Sequence, residues 1–119
     1  MDIKYDDNII PYLYEGVYVV DQKRKIIFWN EGSERITGYS QAEITNSFCH
    51  NNILQHVDDS GKQLCLDGCP LHKTLQDGLI REARVFLKHK DGYRIPVMVK
   101  TIPIYDSEQK IVAAIEVFT

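Results

Sequence analysis

Residues 16–39, GVYVVDQKRKIIFWNEGSERITGY, put two short apolar strands, a capped helix and a helix-stopping glycine into one continuous run. Val17, Tyr18, Val19 and Val20 are β-branched or aromatic, and Ile26, Ile27, Phe28 and Trp29 repeat that character after a polar turn at residues 21–25. This spacing predicts a hairpin. Asn30 then stands where an N-cap is wanted, because its side-chain oxygen can accept from a first-turn amide, an effect of about 1 kcal/mol. Glu31 and Glu34 suit the positive end of the helix dipole. Gly38 supplies the left-handed residue that ends a helix, and Ser40 with Glu43 three residues later caps a second short helix.

The rest of the chain alternates less regularly. Residues 6–15 read as a short amphipathic entry helix with Ile9, Ile10 and Leu13 on one side, limited in length by Pro11. Residues 46–68 are polar and lack a clear period. Residues 70–78, PLHKTLQDG, read as a helix with proline in its first turn, Leu71 and Leu75 four apart, and Gly78 as its stop. From there the pattern is strand. Ala83, Val85 and Leu87 alternate with Glu82, Arg84, Phe86 and Lys88, and Asp91-Gly92 signals a type I′ hairpin. Residues 93–105 form the next strand, with Ile95, Val97 and Val99 on one face and Pro96 and Pro103 marking edge or bulged positions. A turn at residues 106–110 leads into the last strand, residues 111–118.

Apolar strand, Trp29-Asn30, capped helix, Gly38-Tyr39, then helix and three strands: this order resembles the PAS family and covers nearly the whole chain. The resemblance implies an α+β fold, a five-stranded antiparallel sheet with helices on one face and a short N-terminal helix. Residues 1–15 would be the entry helix or cap and residues 16–119 a single PAS domain. In the family the inner sheet face and the helices across it enclose a pocket. The lining expected here is Trp29, Phe48, Leu71, Leu75, Val85, Leu87, Val97 and Val99, with Ile27 on the same face. The outer face, with Phe86 and Met98, is expected to meet the entry helix or a partner protomer. A homodimer, an output domain of a larger protein and a small-molecule ligand are the partners implied.

With 119 residues, 44% of them hydrophobic, the chain is long enough for one core without staples. A net charge of -3 with scattered lysines and arginines argues against nucleic acid. No apolar run approaches the roughly 20 residues of a membrane span, and the N-terminus does not read as a signal peptide. Three unevenly spaced cysteines do not form a secreted disulfide framework, which points to a reducing cytoplasm. The sequence shows no phosphate-cradling glycine loop, nucleophile elbow or metalloprotease histidine pair, so an enzyme is not expected.

The unusual chemistry lies in SFCHNNILQHVDDSGKQLCLDGCPLH, where Cys49, Cys65 and Cys69 crowd with His50, His56 and His72. Thiolate and imidazole ligands favour zinc, iron or an iron–sulfur cluster, and Cys49, Cys65, Cys69 and His56 are the candidate ligands. Structural cysteines, a metal or cluster, and thiol redox switching stand as three readings. Cys69, just before a helix start, is the candidate reactive thiol. Haem is a weaker fit, through His72. Flavin is weaker still, since the Asn-Cys-Arg-Phe-Leu-Gln run of light-sensing PAS members is only echoed in scattered form by Asn46-Ser47-Phe48-Cys49 and Ile53-Leu54-Gln55. The function expected is a non-catalytic cytoplasmic sensory module of a bacterial histidine kinase, cyclic-dinucleotide enzyme or transcription regulator, responsive through its cysteines to redox state or metal. The alternative is a dimerisation or protein-interaction domain with a filled core.

Overall fold

The computed structural model describes residues 14–48, 54–64 and 68–119. The expected entry helix over residues 6–15 falls almost wholly outside them. The elements are β1 (Gly16–Asp21), β2 (Ile26–Trp29), α1 (Glu31–Thr37), α2 (Gln41–Ile44), α3 (Pro70–Asp77), β3 (Arg81–Lys88), β4 (Arg94–Tyr105) and β5 (Ile111–Phe118).

The caps form where the sequence places them. Asn30 Oδ1 accepts from Ser33 N at 2.8 Å and from Val17 N at 2.9 Å, while its amide donates to Glu15 O, so one side chain caps α1 and ties it to β1. Gly32 packs face to face with that strand: a Cβ there would lie 2.0 Å from Glu15 O. Gly38, at φ 81, ends α1, and Ser40 and Glu43 form a reciprocal capping box on α2. Pro70 opens α3 and Gly78, at φ 75, closes it.

Four turns share one hydrogen-bond pattern. At Asp21, Asp58, His89 and Asp106 the first residue accepts from the N–H three residues on, and its own N–H donates to the carbonyl four residues on. The fourth residue of each turn, Arg24, Gly61, Gly92 or Gln109, has positive φ. Each aspartate also accepts, through Oδ1, the two amides at the second and fourth following positions. Asp91-Gly92 is therefore not the expected type I′ turn, which needs positive φ at both residues; only Gly92, at φ 102, has it.

The sheet is antiparallel with the order β2-β1-β5-β4-β3, so the last strand lies at its centre. Tyr18, Val20, Ile26, Trp29, Val85, Leu87, Val97, Val99, Ala114 and Phe118 share one buried cluster with Ile44, Leu71 and Leu75 of the helices. Val17, Val19, Ile104, Ala113, Ile115 and Val117 form a second cluster on the opposite face. Ile27 joins the second cluster, against expectation. Val19 pairs with Phe28 and Val20 with Ile26, so Ile27 is the extra residue of a bulge, and Ile26 takes the inner position instead.

The two prolines of β4 also depart from expectation, because β4 is flanked on both sides. Phe86 directs its backbone groups to Val57, so its partner Pro96 faces away from β3, towards ground beyond the end of β5. Pro103 faces the other way, beyond the start of β3, since the pairs hydrogen-bonded to β5 alternate from Met98–Thr119. Neither missing donor breaks a ladder. The outer strands are covered over part of their length: Asn46 and Ser47 hydrogen-bond Ile26, and Val57 bonds Phe86. Phe86 is half-buried with the Arg84 guanidinium 5.5 Å from its ring centre, whereas Met98 is 51% exposed.

Left-handed φ at Arg24 and Gln109 is unfavourable for a residue with a Cβ. Arg24→Gly and Gln109→Gly should each stabilise the protein by roughly 0.5–1 kcal/mol, read as a rise of a few degrees in Tm, with Gly92→Ala doing the reverse. Two exposed ion pairs contribute to the acid response. Arg81 holds the Asp77 carboxyl at about 2, below its ordinary 3.8, and Lys90 holds Glu43 at about 2, below 4.5. Both pKa values are depressed by folding, so the pairs stabilise fully above the ordinary values, and this contribution is lost as pH falls through about 2. Urea midpoints of Glu43→Gln/Asp77→Asn should accordingly fall less than those of the wild type as pH is lowered over that range.

Candidate functional site: the inner face of the sheet

The inner face is apolar at its rim and polar near its centre. Tyr18, Trp29 and Phe118 form an aromatic group at one end, with ring centroids 5.4, 6.0 and 6.5 Å apart. Trp29 also donates from Nε1 to Tyr39 O at 2.9 Å. α3 lays Leu71, Leu75 and Thr74 onto the sheet. Thr74 Oγ1 lies 2.8 Å from Thr101 Oγ1 on β4 and donates to Leu79 O at 2.8 Å, so these buried hydroxyls satisfy each other.

Beside Thr101, near the C-terminal end of the central strand, stands Glu116. Its register partners are Tyr18 on β1 and Thr101 on β4, and it lies between Ala114 and Phe118 on the same face. His56 Nε2, from the segment before α3, is 3.4 Å from Glu116 Oε2, and the two side chains are 8% and 4% exposed. An ionisable pair in an apolar interior is costly to desolvate, and removing one member typically costs 3–5 kcal/mol because the other is stranded. The pair therefore fixes the segment at His56 against β5.

Of the lining expected from sequence, Trp29, Leu71, Leu75, Val85, Leu87, Val97 and Val99 pack into this one cluster. Phe48 does not. It is half-buried and bridges Lys25 at the edge of β2. Cys69 is buried, 9% exposed, at the N-cap of α3, within the cluster that also holds Leu54 and Leu64. Cys49 and Cys65 lie outside the described residues. Among the described residues no three His, Cys, Asp or Glu side chains stand close enough to hold a metal ion. Glu116, Thr74 and Thr101 went unnoticed in the sequence. The signal for Glu116 was there, a single charge inside IVAAIEVF.

The family model for the PAS domain matches residues 15–119. The chain belongs to the PAS family. No curated protein sequence matches it. Among solved structures, the PAS domain of a Colwellia psychrerythraea protein is 22% identical, with a TM-score of 0.74 over 98% of this chain and 93% of that one. The PAS domain of the fruit-fly ELK potassium channel is 18% identical, with a TM-score of 0.76 over 99% and 97%. The light-state dimer of the fungal blue-light photoreceptor Vivid is 20% identical, with a TM-score of 0.70 over 89% and 77%. At these identities the likeness is one of fold. No described helix is long and apolar enough to cross a membrane.

Thr74 and Thr101 give this PAS interior a measurable test. Thr74→Val keeps shape but strands the buried Thr101 hydroxyl, while Leu79 O keeps its bond from Arg81, and should cost about 1–3 kcal/mol in urea unfolding. Thr101→Val should cost less, since Thr74 keeps its bonds to Leu79 O and Arg81, and the double variant less than the sum of the two.

Proposed function

We propose that this PAS domain is a non-catalytic sensory module of a cytoplasmic bacterial signalling protein, a histidine kinase, cyclic-dinucleotide enzyme or transcription regulator, and that it reads its cue at its interior. The observation that carries this reading is the buried His56–Glu116 pair on the central strand. A domain needing only a filled core gains nothing from a carboxylate there, since an apolar residue of similar volume is often as stabilising or more so. Buried titratable groups with a specific partner cluster at functional sites. Cys69, buried in the inner apolar cluster, is the sensing thiol, with His56, Cys49 and Cys65 as the set through which a metal, cluster or redox change would act.

The module works as a homodimer, and the side of the sheet bearing Met98 is the proposed contact. Met98 is half exposed between a cleft of about 310 Å³ lined by Arg84, Pro96 and Thr119 and one of about 170 Å³ lined by Glu82 and Lys100. Basic and acidic side chains beside one apolar centre suit an isologous contact.

The test uses protein purified without oxygen, wild type and Cys69→Ala, assayed for bound metal, visible absorbance, thiol reactivity and sedimentation. The expected result is a metal, chromophore or fast thiol in the wild type that Cys69→Ala loses, and a dimer that Met98→Glu weakens. A colourless, metal-free protein with slow thiols and an indifferent variant would leave the dimerisation-domain reading in its place.

A further inference from the structure

Residues 54–64 form a strap along β3. Val57 and Phe86 exchange both backbone hydrogen bonds, at 2.9 and 2.8 Å, and Lys88 N donates to Leu54 O at 2.7 Å. The Arg94 guanidinium donates to Gln55 O. The strap folds back on itself at the Asp58 turn, whose closing bonds are Asp58 N to Lys62 O, 3.1 Å, and Leu64 N to His56 O, 2.8 Å. Leu54 and Leu64 are buried, while residues 59–63 at the tip are exposed.

By its backbone the strap is a short extra strand at the margin of the sheet. His56 reaches further than such a strand needs to. β5 lies three strands from the strap, about 14–15 Å at ordinary strand spacing, yet His56 Nε2 lies 3.4 Å from Glu116 Oε2. The preceding residue, Gln55, holds φ 47, a left-handed conformation unfavourable to a residue with a Cβ. Local strain of this kind persists only where surrounding contacts over-determine it. Here those contacts are the Arg94 bond on one side and the Glu116 contact on the other.

We propose that the His56–Glu116 contact is a latch that fastens the strap to the central strand, and that the strap opens as a unit when the latch is released, uncovering the Glu116 carboxylate. The elements on either side of it differ in what holds them. The sheet is tied by continuous ladders, whereas the described backbone bonds joining the strap to β3 are those of Leu54 and Val57. Segments with few backbone bonds and an exposed tip open at lower free energy than the core. Glu116 sits on the strand shared by both clusters, with Ile115 and Val117 in the outer one, so a shift at the latch acts on the outer face through a single strand. The device is a property of the fold and stands whether or not the sensory reading does.

Native-state hydrogen exchange at increasing low denaturant tests it, on the wild type, His56→Ala, Glu116→Gln and the double variant. In the wild type the amides of Val57, Leu64, Phe86 and Lys88 should exchange together, with a weaker denaturant dependence than those of Val19 and Ile115. Each single variant should speed the strap amides by about tenfold or more, and the double variant should add nothing to either single. Millimolar imidazole should restore slow exchange in His56→Ala and leave the double variant unchanged. Strap amides that follow the denaturant dependence of Val19 and Ile115 in the wild type would overturn the proposal even if no variant folds. Additive single effects, or a His56→Ala protein indifferent to imidazole, would overturn the latch.

Discussion

Strand β5 pairs with β1 from Gly16↔Phe118 to Asp21↔Ala113 and with β4 from Val99↔Phe118 to Tyr105↔Ile111. The N-terminal hairpin and the C-terminal meander are separate antiparallel units until this pairing joins them. Both faces of β1 and most of β5 are buried, which makes their register strict: a one-residue slip would exchange the inner and outer clusters. Gly16 shows how close the fit is, since a Cβ there would lie 2.4 Å from the Phe118 ring. The helices then close over one face only, because their own apolar residues, Ile44, Leu71 and Leu75, match the inner row and no other.

Local order is established by a small set of polar side chains. The Asn30 amide engages three backbone groups, from Glu15, Val17 and Ser33, so the direction in which α1 leaves the sheet is set by one residue. Asp21, Asp58 and Asp106 repeat a second device, in which one carboxylate oxygen collects two turn amides. Arg24 and Gln109 hold left-handed backbone at these turns where glycine would be easier, so the side-chain hydrogen bonds and the ladders outweigh the cost. Turn chemistry of this kind acts over a few residues. It brings adjacent strands together and leaves distant ones undetermined.

The interior combines opposed demands. Most of it is close-packed aliphatic and aromatic surface, yet Glu116 and His56 place ionisable groups in its middle. Such a pair is weak evidence of stability, and its value lies in specificity: it dictates where the strap must sit. Thr74 and Thr101 do the same for α3 at a lower cost, because neutral hydroxyls that bond each other need no charge to be desolvated.

The sequence by itself determined the caps at Asn30 and Ser40, the glycine stops at Gly38 and Gly78, the alternation that faces Val85, Leu87, Val97 and Val99 inward, and the PAS resemblance that these make together. Each of those depends on residues within a turn or two of one another. Tertiary structure alone decided that β5 lies at the centre, that a bulge exchanges Ile26 for Ile27, that Pro96 and Pro103 face past the ends of neighbouring strands, and that His56 meets Glu116. Periodicity shows which side of a strand a residue is on. It cannot show which distant strand it faces, because that pairing depends on the closure of the whole sheet around one shared interior.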